Sequence, residues 1–82
     1  MRNFIFTFGS NQLQEISNII NPMDVMLVVK GESENEARRE VFDSFIGNKF
    51  CTSYSYEDVA EEFGTKYGMI EYSIDDLEQI RG

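Results

Sequence analysis

Histidine and tryptophan are absent from the 82 residues, and cysteine and proline occur once each. Without histidine the usual zinc sites and every histidine-based catalytic arrangement are excluded. A lone Cys51 excludes an intramolecular disulfide framework. Set in a β-prone run between Phe50 and Thr52, it reads as a small core residue rather than a nucleophile. The longest unbroken apolar run, Val25 to Val29, is far short of the roughly 20 residues that span a bilayer. The start of the chain carries one base, Arg2, and an apolar stretch broken by Thr7, which is not a signal-peptide pattern. No glycine pattern of the nucleotide-binding kind occurs. Bases are also scarce: 7 Lys and Arg stand against 15 Asp and Glu, a net charge of −8, and only Arg38 and Arg39 are adjacent. Direct binding of nucleic acid is therefore disfavoured. What is present is 41% apolar residues with 7 Phe and 4 Tyr. That suffices for one thin core, and the expectation is a single domain over 1–82, cytoplasmic and without cofactor or metal.

Asn3 to Phe8 alternates Phe4, Phe6 and Phe8 with Ile5 and Thr7, the period of a strand with one strongly buried face. From Ser10 to Pro22, Leu13, Ile16 and Ile20 suit a short helix or a packed loop equally. Asp24 to Lys30 is a nearly continuous apolar run, expected of a central strand covered on both faces. Ser33 and Glu36 form a capping box before an amphipathic helix running to Ile46, with Ala37, Val41, Phe42, Phe45 and Ile46 on its apolar half. Lys49 to Tyr54 reads as a third strand. Ser55 and Asp58 cap a second helix bearing Tyr56, Val59, Ala60 and Phe63, closed by Gly64. Met69 to Tyr72 suits a fourth strand, and Ser73 with Asp76 caps a last helix carrying Ile74, Leu77 and Ile80. The expected fold class is α+β: a three- or four-stranded sheet, one main helix packed on a face, and short acidic C-terminal helices.

The opening Phe4-Ile5-Phe6-Thr7-Phe8-Gly9, the Val-rich second strand, Glu36-Ala37-Arg38, Gly47-Asn48-Lys49-Phe50 and Lys66-Tyr67-Gly68 together resemble small proteins encoded by phages and prophages of Gram-positive bacteria. Those read as FTFG, a strand, an EAR helix, a GNKW-like turn and a K-Y-G. This chain departs from them in having Ser10-Asn11-Gln12 where polar residues, often histidine, follow the FTFG, and Phe50 where tryptophan is usual. The resemblance implies an accessory protein of a mobile element, a setting in which small acidic proteins inhibit host nucleases in the anti-CRISPR or DNA-mimic manner.

The acids are unevenly spread, with net charge −2 over residues 1–56 and −6 over residues 57–82. Glu57 with Glu61 and Asp58 with Glu62 are like-charged pairs four residues apart, each disfavouring a helix by about 0.2–0.5 kcal/mol. One reading makes Glu57, Asp58, Glu61, Glu62, Glu71, Asp75, Asp76 and Glu78 a docking face for a basic nucleic-acid-binding protein such as a host defence nuclease. Another makes them a solvated, solubilising face. No catalytic set emerges: paired carboxylates support glycosidase chemistry only within a cleft for which the chain has little room. An oxygen-ligand metal site at Asp75, Asp76 and Glu78 lacks the loop spacing of an EF-hand. Tyr54, Tyr56, Tyr67 and Tyr72 flank the acids as interface anchors or as the core's rim. The alternative from another class is a structural or regulatory module that forms a homodimer through an exposed strand edge at Lys49 to Tyr54.

Overall fold

The computed structural model describes residues 1–9 and 21–81, so Leu13, Ile16 and Ile20 lie outside the described residues. Its elements are β1 (Arg2–Thr7), β2 (Val25–Gly31), α1 (Glu34–Asp43), β3 (Thr52–Ser55), α2 (Tyr56–Lys66), β4 (Ile70–Tyr72) and α3 (Ile74–Arg81). They build an α+β domain around a four-stranded mixed sheet in the order β3-β1-β2-β4. β1 is antiparallel to both β2 and β3, and β2 is parallel to β4.

β1 and β2 hold the centre because both alternations of their side chains are apolar: Phe4, Ile5, Phe6, Val25, Met26 and Leu27 are all buried. The register sets Phe4 opposite Val29 and Phe6 opposite Leu27 on one face. Ile5, opposite Val28 and Tyr54, takes the other. Ala37 and Val41 of α1, Ile46 beyond it and Leu77 of α3 close over the phenylalanine face. On the opposite face α2 is anchored by Phe63, whose ring meets Tyr54 edge-on at 5.2 Å. The crossover from β2 to β3 runs through α1 on one face, and that from β3 to β4 runs the other way through α2 on the other face. Opposite directions on opposite faces give both crossovers one hand, as the strong chiral preference of parallel connections requires.

The close approach of α1 to β2 depends on Gly31, where a Cβ would lie 2.9 Å from the Ala37 nitrogen. Ser33 caps α1 as expected, its Oγ accepting from the Glu36 N–H at 3.3 Å. The helix then ends at Asp43 rather than Ile46. The Ser44 hydroxyl donates to the Val41 carbonyl at 2.6 Å while its backbone turns extended, so Phe45 and Ile46 reach the core from a turn. Phe42, expected on the apolar half, is 58% exposed. The sheet receives the Ala37–Val41 stripe, and Phe42 stands 100° farther round.

Two more boundaries and two side-chain roles differ from expectation. β3 begins at Thr52, because the turn after Ile46 occupies the chain as far as the Lys49 N–H bond to the Ile46 carbonyl. Cys51, just ahead of it, is exposed rather than a core residue, its N–H donating to the Thr7 carbonyl at 2.8 Å. α2 passes through Gly64 to Lys66, and the reversal comes at Gly68, whose φ of 67° suits a residue without a side chain. Ser55 makes no side-chain cap bond to α2 and accepts instead from the Arg2 guanidinium at 3.5 Å. Among the described residues, no helix is long and apolar enough to cross a membrane.

Candidate acidic docking site

α2 follows β3 without a linker, so its first turn begins at the rim of the sheet with Tyr56, Glu57 and Asp58. β4 then returns on the far side of β2 and places Glu71 opposite Met26, on the same face as α2. Chain segments that are distant in sequence thereby meet. Tyr56, Glu57, Ala60, Glu61 and Glu71 line one shallow pocket of about 470 Å³.

Within this pocket the Tyr56 hydroxyl donates to a Glu71 carboxylate oxygen. That hydrogen bond first, then the Glu71 charge, and then burial raise the Tyr56 phenol above its ordinary pKa of 10.0. Glu57, Glu61 and Glu71 supply three carboxylates, and the pocket lining holds no base. The arrangement accepts hydrogen bonds from ammonium or guanidinium groups, and a tyrosine ring stands beside them as a flat apolar contact. No group of three potential ligands suited to a metal ion is present among the described residues.

The other five candidate acids go elsewhere. Asp58 is exposed in the first turn of α2, where the helix dipole favours it. Glu62 faces Lys66 one turn on, at 4.0 Å. Asp76 belongs to the fold: it accepts from the Ser73 N–H at 3.0 Å while the Ser73 Oγ accepts from the Asp76 N–H at 3.1 Å, the reciprocal bonds of a capping box. Asp75 and Glu78 are exposed on α3, whose Leu77 is buried in the phenylalanine face, across the sheet from α2. The eight acids therefore occupy two sides of the molecule, and Glu57, Glu61 and Glu71 share a pocket.

Two features escaped sequence reading. The pairing of Tyr56 with Glu71 depends on β4 lying next to β2, which one sequence does not reveal. A second groove, where Asp75 meets Glu40 and Asp43 of α1, depends on α1 and α3 sharing a face. The signal available for the first site was the four-residue spacing of Glu57 and Glu61. Comparison with protein-family models, with curated proteins and with solved structures found no match.

Proposed function

We propose that the protein is a non-enzymatic acidic inhibitor that covers a cationic, nucleic-acid-binding surface of a larger protein. In the phage setting that the sequence resemblance implies, that protein is a host defence nuclease and the role is counter-defence. The observation that supports this is the convergence of Glu57, Glu61 and Glu71 on one pocket with Tyr56 beside them. Carboxylates one helical turn apart stand at about 6 Å and offer a lysine- or arginine-lined groove a charge pattern akin to a nucleic-acid backbone. Such a face speeds association, and its hold weakens with salt.

The test uses tagged full-length protein as bait in lysate of a Gram-positive host, beside a variant carrying Glu57→Lys and Glu61→Lys. A nucleic-acid-handling enzyme retained by the wild type at low salt, shed at high salt and ignored by the variant supports the proposal. Equal retention by both baits removes the acidic pocket as the contact.

A second reading is favoured by the position of β3, which is an edge strand among the described residues. Pairing of β3 with a second copy makes the protein an oligomerisation module. That reading requires a dimer whose light-scattering mass holds on dilution, and a monomer at all concentrations ends it.

A further inference from the structure

Among the described residues, strand pairing covers the outer edge of β2 only in part. β4 pairs with Val25, Met26 and Leu27 and then leaves the sheet at Ser73 to enter α3. On its inner edge β2 stays paired with β1 as far as Gly31. Among the described residues, no strand pairs with the outer edge of Val28 to Gly31. At about 3.3 Å per residue that strip offers roughly 13 Å of open edge. It floors a groove of about 550 Å³, with Glu40 and Asp43 on the α1 wall and Ser73 and Asp75 on the α3 wall.

The charge of the groove names its occupant. The lining holds three carboxylates and one base, Lys30, and none of the four takes part in an ion pair among the described residues. Helix stability does not explain the two acids on α1. Glu40 and Asp43 stand in its last turn, where the dipole favours cations, and no base is present there. We propose that this groove takes an extended basic segment of a partner protein, added as a strand along Val28 to Gly31. Main-chain hydrogen bonds to the open edge hold the segment, and alternate side chains set its specificity. Val29 faces the α1 and α3 side, so segment residues on that side meet the acids and are lysine or arginine. Lys30 alternates to the opposite face, so residues beside it are uncharged or acidic.

The test is a titration of isotope-labelled full-length protein with an acetylated, amidated pentapeptide of alternating lysine and threonine, followed by amide chemical shifts and hydrogen exchange. Two comparison peptides carry glutamate in place of lysine, or the lysine sequence with alternate backbone amides N-methylated. Expected with the lysine peptide are shifts and slowed exchange at Val28 to Gly31, no response to the glutamate peptide, and at least about tenfold weaker binding of the N-methylated peptide. Asp43→Lys combined with Asp75→Lys lowers affinity by about tenfold, while Glu57→Lys with Glu61→Lys leaves it unchanged, which separates this groove from the α2 pocket. Equal binding of the N-methylated peptide overturns the proposal, as charge alone then suffices. So do shifts confined to α2, or an edge already protected by a second copy in the absence of peptide.

Discussion

The two faces of the sheet are built to different standards. On the α1 and α3 side, Phe4, Phe6, Phe8, Val25, Leu27 and Val29 are met by Ala37, Val41, Ile46 and Leu77, all at most 5% exposed. On the other side α2 has no fully buried residue and is held through half-buried Val59, Ala60 and Phe63. The helices differ in their caps as well, since α3 has both bonds of a capping box and Ser55 gives α2 none. The helix bearing Glu57 and Glu61 is thus the less tightly secured. Ile5 and Met26 are buried on the α2 side of the sheet, but α2 itself is packed more loosely than α1 and α3, and its repelling acids come at small cost to the whole.

The sharpest way to break this comparison is to cut one large side chain from each face. Phe6→Ala removes a ring that is 0% exposed and is expected to cost about 3–5 kcal/mol, a large part of the stability of so small a domain. Phe63→Ala is expected to cost about 1.5 kcal/mol, because that ring is only half-buried. Urea unfolding of both variants decides it; equal losses mean that α2 is as integral to the core as α1. The caps give the next effect in size. Asp76→Ala should cost about 1 kcal/mol by breaking the capping box of α3, whereas Ser55→Ala should leave α2 nearly unchanged, measured by the same unfolding curves.

Charge gives a smaller effect of opposite sign. Glu61→Lys turns the repulsion with Glu57 into an attraction one turn apart, and the variant should be more stable by about 0.5 kcal/mol at low salt, or roughly 2–4 °C in Tm. The gain should shrink as salt is added. If the same substitution also weakens partner binding, the acids at these positions serve contact at the expense of stability. A thermal scan showing no gain would mean that the repulsion is already screened at this surface.

Local signals carried much of the fold. The alternation of Phe4, Phe6 and Phe8, the apolar run through Leu27, and the Ser33 and Ser73 caps each express a period or a hydrogen bond completed within a few residues. What failed was decided by contacts that the periodicity does not weigh, some within one helical turn and some at a distance. Gly64 resembles a stop, yet α2 continues to Lys66, where the Thr65 hydroxyl donates to the Glu61 carbonyl and Lys66 pairs with Glu62. Phe42 satisfies the helical wheel, but the sheet accepts only the Ala37–Val41 stripe. The candidate site was legible as a run of acids and illegible as a place. Strand order sends α2 and α3 to opposite faces, so acids neighbouring in sequence separate while Glu71 joins Glu57 and Glu61.

The bond between Tyr56 and Glu71 tests the assembled pocket most directly and with the smallest expected effect. Glu71 raises the Tyr56 phenol above 10.0 in the folded protein, so the folded state keeps that proton more firmly than the unfolded chain does. The contribution to stability is therefore complete below the unfolded value near 10.0 and is lost as pH rises through the higher folded value. Tyrosinate absorbance during an alkaline titration should show one phenol ionising late, and Tyr56→Phe should remove that component. Glu71→Ala should bring it back toward the ordinary range, because the hydrogen bond and the negative charge that both raise it are then lost. If Glu71→Ala leaves the late component in place, another group perturbs it, and β4 does not bring Glu71 to α2 in solution. In that event Glu57 and Glu61 lose their third carboxylate, and the pocket is reduced to one acidic helix face.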